Sequence, residues 1–107
     1  ALDLAQPDIG RLGITESMRV VELCGAFNVP VAPHIGSGLA PYTAASVQVA
    51  AATEMLFICE YQPTQIETCD DYFSPSLKPE SGYYALPDRP GHGVEPDEEK
   101  LASIAYQ

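Results

Sequence analysis

Three short apolar runs occur within the first 60 residues, and an ionisable side chain follows each of them. The interval between these side chains is constant, since 34 − 8 and 60 − 34 both equal 26. Apolar runs without alternation are typical of strands that are buried on both faces, as in parallel sheets. The pattern therefore predicts three parallel strands in equivalent register. The runs are residues 1–5, 29–32 and 55–59, and the side chains that close them are Asp8, His34 and Glu60.

Two longer segments between the runs have the periodicity of helices. The first is expected to begin near Thr15, whose hydroxyl can cap a backbone N–H, and to stop at Asn28. The second is predicted over residues 41–52, which are rich in alanine and open with a proline that a first turn tolerates. The apolar face of the first helix is predicted at Val20, Leu23, Cys24 and Phe27.

The order strand, helix, strand, helix, strand predicts an α/β fold over residues 1–62. Residues 63–107 are expected to form a C-terminal extension of different composition. They hold six of the ten prolines, and nine of the fifteen acidic residues against three basic ones. Within this extension, a short strand is predicted at Tyr83, Tyr84 and Leu86, and a final helix over residues 97–106.

The charge balance excludes two classes of partner. The formal net charge is −10, with only five lysines and arginines, whereas nucleic acids and anionic membrane surfaces require a basic patch. The apolar runs are also much shorter than the roughly 20 residues that a membrane span needs. Three cysteines without a CxxC pair indicate neither a disulfide framework nor a zinc site, so a reducing compartment, the cytoplasm, is expected.

The three closing residues are the candidates for chemistry. The carboxyl ends of parallel strands meet at one edge of a sheet, where α/β enzymes build their sites. Asp8, His34 and Glu60 gathered there would form an acid–base set. Each residue also has a plain structural interpretation, because Asp is common in turns and His is often a satisfied polar residue. Equal spacing of all three favours the functional interpretation.

Four segments, in order, carry a resemblance to a known family. Residues 6–8 read QPD and residues 10–16 read GRLGITE; residues 31–34 read VAPH, residues 57–60 read FICE, and residues 86–94 read LPDRPGHGV. Together they resemble the closing strands of the mandelate racemase and acid-sugar dehydratase branch of the enolase superfamily. Arg11-Leu12 and His92 depart from the family pattern, and neither departure falls on a proposed catalytic residue.

The resemblance implies a fold and a reaction. The fold would be a partial TIM-type barrel, namely the last three βα units of a (β/α)7β barrel followed by the extension. The reaction would be magnesium-assisted removal of the proton α to a carboxylate. His34 would be the general base or acid, Asp8 would orient its ring, and Glu60 would donate a hydrogen bond to the substrate carboxylate in protonated form.

The same resemblance places the magnesium ligands, the second base and the substrate-selecting domain on segments that precede this chain. The chain itself is thus expected to supply no metal ligand. Its start without Met suggests a truncated or processed beginning. Two functions remain open. One is an enzyme fragment, inert alone, that needs an upstream chain before it accepts a small carboxylate or acid sugar. The other is a noncatalytic half-barrel module that self-associates into a homo-oligomer through its exposed edges.

Overall fold

The computed structural model describes residues 1–105, and these form an α/β fold with four helices and a small sheet. Residues 106 and 107, the end of the predicted final helix, lie outside the described part. The elements in chain order are α1 (Ile9–Ala26), α2 (Ala40–Ala51), α3 (Pro63–Asp70), β1 (Phe73–Ser74), β2 (Glu95–Pro96) and α4 (Glu98–Ile104).

The three predicted strand segments lie side by side and parallel, although they pair only through single bridges. Ala5 and Leu56 each bridge to Val31, so the second segment lies between the other two. The Ala32 N–H donates to the Ala5 carbonyl at 2.9 Å, and the Phe57 N–H donates to the Val31 carbonyl at 2.8 Å. The predicted parallel order is therefore confirmed, but the segments are shorter and less regular than continuous strands.

Helix α1 begins earlier than the sequence predicts. Asp8, not Thr15, is the N-cap, and its carboxylate accepts the Arg11 N–H at 3.1 Å. The reason is a break at Gly13, which has φ +73° and separates a first short turn from the main helix. The prediction at the other end is confirmed, because Asn28 follows the helix in the left-handed region with φ +53°.

The buried face of α1 also differs from the predicted one. Ser17, Val21 and Cys24 are buried, whereas Leu23 is 61% and Phe27 is 73% exposed. The prediction is confirmed at Cys24 and at Val20, which packs against the core, and wrong at Leu23 and Phe27. The bend at Gly13 sets which side of the main helix meets the parallel segments. A core cluster of small and branched side chains joins α1 and α2 to those segments: Ala5, Ile9, Val21, Cys24, Val31 and Val49.

The third parallel segment does not have the two buried faces that its composition predicts. Phe57 is 71% exposed and Ile58 is 59% exposed. These side chains are exposed because the third segment lies at the margin of the array, with Val31 on its paired side.

Helix α2 agrees closely with prediction, with Pro41 in its first turn and a largely buried run of small residues.

The extension contains structure that the sequence did not predict. Helix α3 packs Ile66 and Cys69 inward, and β1 pairs antiparallel with β2 in the register Phe73 to Pro96. The strand predicted at Tyr83, Tyr84 and Leu86 is absent from the described residues, and a single antiparallel bridge between Glu80 and Tyr83 takes its place. The final helix is confirmed as α4, capped by Asp97.

Candidate active site

Asp8 and His34 meet at the carboxyl ends of the first two parallel segments. Asp8 Oδ2 lies 3.0 Å from His34 Nδ1, and the backbone of the two residues forms a parallel bridge. The Asp8 side chain is 17% exposed and the His34 side chain is 43% exposed, so the carboxylate is sheltered while the imidazole reaches solvent. The structure thus brings together two of the three residues that the equal spacing selects.

Tyr42, in the first turns of α2, is a third member of this cluster. Its hydroxyl lies 2.5 Å from Asp8 Oδ1 and 3.3 Å from the His34 carbonyl, and it accepts the Gly36 N–H at 3.0 Å. A phenol has one hydrogen to donate, and the nearer, charged acceptor is the carboxylate. We therefore assign the phenolic hydrogen to Asp8, which leaves the acceptor side of the hydroxyl to Gly36.

These contacts set the protonation state of the Asp8 carboxyl. Burial on its own would raise the pKa of Asp8, but hydrogen bonds from Tyr42, His34 and the Arg11 N–H lower it, and the net shift is downward from the ordinary value of 3.8. The pKa of Tyr42 moves upward, because of its burial and its hydrogen bond to Asp8. At neutral pH the pair is therefore a carboxylate and a neutral phenol.

An ionised Asp8 fixes the proton position on the His34 ring. A carboxylate only accepts hydrogen bonds, so Nδ1, at 3.0 Å from Asp8 Oδ2, must carry the hydrogen. In the neutral imidazole, the lone pair is then on Nε2. This is the arrangement in which a carboxylate holds a histidine base in one tautomer.

Glu60 is brought beside this pair but does not join it directly. Its Oε2 accepts the backbone N–H of Ile35 at 2.6 Å, next in the chain after His34. Its Oε1 is 3.4 Å from Gln62 Nε2, at the long limit of a hydrogen bond. Oε1 is therefore the atom that has capacity left for a proton or a ligand.

The extension supports the loops that carry these residues. The Tyr84 hydroxyl donates to the Glu60 carbonyl at 3.0 Å. Gln65 of α3 accepts the Gly38 N–H and donates to the buried hydroxyl of Thr43, both at 3.0 Å. The loop after His34 is thus fastened to α3, and the backbone of Glu60 is fastened to the segment that precedes β2.

The described residues do not form a metal site of their own. No group of three or more His, Cys, Asp or Glu side chains within residues 1–105 is placed so that it could hold a metal ion. The Asp8 carboxylate, which could be a hard ligand, is already occupied by its three hydrogen-bond donors. These residues consequently do not fit a magnesium ion.

Sequence reasoning missed Tyr42 and Gln65. The available signal for Tyr42 was its position just after Pro41, where a helix that follows a strand end presents its first turn to the site. The glycines at positions 10 and 38 were a second signal, because a Cβ at either position would collide with the Tyr42 ring. Gln65 had no comparable signal, since its role depends on α3, which was not predicted.

The parallel segments, the covering helices and the polar cluster define an α/β domain that gathers its polar residues at the carboxyl ends of its strands. The sequence of residues 1–100 matches the profile of the enolase C-terminal domain-like family. The chain belongs to this family, which confirms the resemblance to the enolase superfamily. No helix in residues 1–105 is long and apolar enough to cross a membrane.

Individual relatives agree with this assignment. A D-galactonate dehydratase family member, RspA, from Halomonas elongata is 31% identical over 89% of this chain. The chain spans only 24% of the length of that relative. Among solved structures, a proposed isomerase from Sinorhizobium meliloti is 32% identical and superimposes with a TM-score of 0.88 over 95% of this chain and 26% of that one.

A further solved structure is informative for its contents. It is a proposed L-alanine-DL-glutamate epimerase from Burkholderia xenovorans, bound to magnesium and fumarate. It is 31% identical to this chain, with a TM-score of 0.83, and the match covers 94% of this chain and 25% of that one. The chain is therefore similar to about a quarter of a protein that binds a metal ion and a small dicarboxylate.

Proposed function

We propose that this chain supplies the acid–base half of an active site that removes the proton α to a carboxylate, as part of an acid-sugar dehydratase or racemase. The observation that carries the proposal is the contact of 3.0 Å between His34 Nδ1 and Asp8 Oδ2 at the carboxyl ends of two parallel segments. The neighbouring relatives, which include galactonate dehydratase family members and a proposed epimerase, support this class of reaction.

His34 is the base in this proposal. Its Nε2 takes the proton from the α-carbon, and the electron pair of the broken C–H bond moves onto the substrate carboxylate. Asp8 stabilises the imidazolium that forms and keeps Nδ1 as the donor. Glu60, protonated on Oε1, donates a hydrogen bond to the substrate carboxylate, while Oε2 remains on the Ile35 N–H.

The remaining parts of the site are assigned to other segments of the assembly. We propose that the described residues correspond to the last three βα units of a (β/α)7β barrel, with residues 63–107 as its C-terminal extension. Magnesium, when bound in such an assembly, would stabilise negative charge on the substrate carboxylate through ligands outside this chain. The 107-residue chain is then inactive by itself, and it acts in the cytoplasm together with an upstream segment.

Hydrogen exchange at the α-carbon tests this proposal. The assembly as it is purified is incubated in D2O with magnesium and a panel of acid sugars, and α-deuteration is followed by NMR and mass spectrometry. Exchange is expected in the native assembly and is expected to fall by more than about 100-fold in His34→Asn, in line with loss of a general base. His92→Asn is the matched control, because His92 is the only other histidine of the chain.

The composition of the sample is measured in parallel, by intact mass under denaturing conditions and by size under native conditions. Exchange that persists in His34→Asn, or exchange lost equally in His92→Asn, contradicts the proposal. An assembly that holds an upstream chain but exchanges none of the acid sugars also contradicts it.

A second candidate function has its own observation. Phe57 and Ile58 are exposed beside each other at the margin of the parallel array, where an apolar surface favours association. In this alternative the chain is a noncatalytic half-barrel module that forms a homo-oligomer through that surface. A defined oligomer made only of this chain, without α-proton exchange, would favour it over the enzyme.

A further inference from the structure

One side chain of the cluster, Tyr42, has no role in the proposed reaction. Tyr42 makes two close polar contacts, to Asp8 Oδ1 at 2.5 Å and to the Gly36 N–H at 3.0 Å. These contacts join α2 to Asp8 and to the loop that follows His34. The Tyr42 hydroxyl therefore donates to the same carboxylate that accepts from His34, which a contact that served only to anchor α2 would not require.

The space around the Tyr42 ring is reserved by glycines on two sides. A Cβ at Gly10 would lie 2.8 Å from Tyr42 Cζ, and a Cβ at Gly38 would lie 2.3 Å from Tyr42 Cδ1. Neither glycine has a left-handed backbone, so backbone conformation does not require glycine at these positions. The requirement is space for the Tyr42 ring. The ring is therefore confined between the first turn of α1 and the loop that follows His34.

Arg11 is the other side chain close to Asp8, and it is a weaker candidate for the same role. Its Nε lies 3.4 Å from Asp8 Oδ2, but the side chain is 87% exposed. Solvent and mobile ions screen such a pair, and its side chain has many alternative rotamers. The hydroxyl of Tyr42 is held from both sides, so it can fix the carboxylate where Arg11 cannot.

We propose that Tyr42 is a positioning residue, whose hydroxyl holds the Asp8 carboxylate so that Oδ2 faces His34 and Nε2 is kept as the base. The inference rests on the proposed role of His34 in proton transfer. In geometric terms, Asp8 Oδ1 receives the Tyr42 hydroxyl and the Arg11 N–H, which leaves Oδ2 for the imidazole. Tyr42 touches neither the reacting carbon nor the proton that moves.

The test compares Tyr42→Phe with the unchanged protein by NMR, in the assembly as it is purified. The phenylalanine keeps the ring between the glycines and removes only the hydroxyl. The pKa of Asp8 is read from its carboxyl 13C shift, and the His34 Nδ1–H from its proton–nitrogen correlation and its exchange with water. Tyr83→Phe is the matched control, because Tyr83 is 78% exposed and lies in the extension.

Tyr42→Phe is expected to raise the pKa of Asp8, because one of the hydrogen bonds that lower it is lost. Exchange of the His34 Nδ1–H with water is expected to become roughly five-fold faster, because the Asp8 carboxylate loses the hydrogen bond that holds Oδ2 toward the ring, a loss of about 1 kcal/mol. Tyr83→Phe should change neither. Unchanged values for Asp8 and His34 in Tyr42→Phe overturn the inference and leave the Asp8–His34 pair intact.

Failure of the proposed function has a different signature. In that case the NMR spectrum of the unsubstituted protein would show no proton on His34 Nδ1 that is hydrogen-bonded to Asp8. Should Tyr42→Phe not fold, Asp8→Asn gives the reciprocal measurement through 13C-labelled tyrosine. Removal of the carboxylate charge is expected to lower the pKa of Tyr42, which burial and Asp8 together raise. A Tyr42 pKa that does not move in Asp8→Asn also overturns the inference.

Discussion

Asp8 accepts the backbone N–H of Arg11 at 3.1 Å, so the carboxylate that holds His34 is also the N-cap of α1. The helix and the candidate site therefore share one side chain. Any substitution at this position changes the free energy of unfolding and the geometry of the site together, and the two effects can be separated by the choice of the new residue.

Asp8→Ala and Asp8→Asn make that separation. Alanine removes the cap and is expected to lower the free energy of unfolding by about 1 kcal/mol, whereas asparagine is an equally good cap and should cost much less on that account. Both should abolish the charge-assisted bond to His34. Urea unfolding measures the first effect, and the His34 tautomer measures the second. Equal destabilisation by both variants would contradict the capping role.

The stability of the protein should fall in acid partly because of Asp8. Burial alone would raise the pKa of Asp8, but hydrogen bonds from Tyr42 and His34 lower it. The pKa in the folded protein is therefore below the ordinary value of 3.8. A carboxyl with a depressed folded pKa contributes stability that is present above the unfolded pKa and is lost as pH falls through the folded pKa. The contribution of Asp8 should thus be complete above about pH 5 and disappear progressively below pH 4.

The check is a set of urea unfolding curves between pH 7 and pH 2. Asp8→Asn should show a shallower loss of unfolding free energy below pH 4 than the unchanged chain. It will still show some loss, because the pKa values of two other aspartates are also lowered. Hydrogen bonds from Ser76 and Lys78 lower that of Asp70, and the Lys100 N–H lowers that of Asp97. Parallel curves for the two proteins would mean that Asp8 does not contribute.

The convergence of the site could be predicted, because parallel strands place equivalent positions at one edge of the array. The proximity of Asp8 and His34 could be predicted from that rule and from their spacing in the sequence alone. Glu60 followed the same rule, but the rule could not show that one of its oxygens is taken by the Ile35 N–H. Hydrogen bonds to backbone groups depend on loop conformation, which has no period in the sequence.

The parts that could not be predicted depend on contacts distant in the sequence. Helix α3 has one buried pair, Ile66 and Cys69, which is too little apolar periodicity to recognise in eight residues. The face of α1 was misplaced because its orientation is decided by the bend at Gly13. Exposure of Phe57 could not be foreseen, since a buried strand and an uncovered one can have the same composition.

Gly38→Ala should damage the cluster through the Tyr42 ring. The added Cβ would be 2.3 Å from Tyr42 Cδ1, so the ring or the loop must move, which typically costs about 1–3 kcal/mol in the free energy of unfolding. Gly25→Ala is the control, because its Cβ would meet only Met55 Cγ, at 3.6 Å. Thermal and urea unfolding should show destabilisation in the first variant and little change in the second. Equal effects would show that the glycine at 38 does not serve the ring.

Cys59 should be a slow nucleophile for a partly exposed thiol. Burial, with a smaller contribution from the Glu60 charge, raises its pKa to about 11 from 9.0. The thiolate fraction at pH 7 is then reduced about 100-fold relative to an ordinary cysteine, and alkylation should slow accordingly. Iodoacetamide labelling followed by peptide mass spectrometry measures the rate. Labelling in the native chain as fast as in urea would contradict the raised pKa.

The exposed apolar side chains allow the two candidate functions to be distinguished through association. Phe57 and Phe27 are 71% and 73% exposed, but Phe57 lies at the margin of the parallel array and Phe27 at the end of α1. If the margin is the associating surface, Phe57→Lys should weaken self-association at least ten-fold, since a charge in an apolar interface is left without a partner. Phe27→Lys should leave association unchanged, and neither variant should alter the melting temperature of the monomer by much, because both side chains are on the surface. Sedimentation across a concentration series provides the constants. Equal weakening by both variants would indicate nonspecific hydrophobic association. If Phe57→Lys does not weaken association, this surface is not the interface of the half-barrel hypothesis.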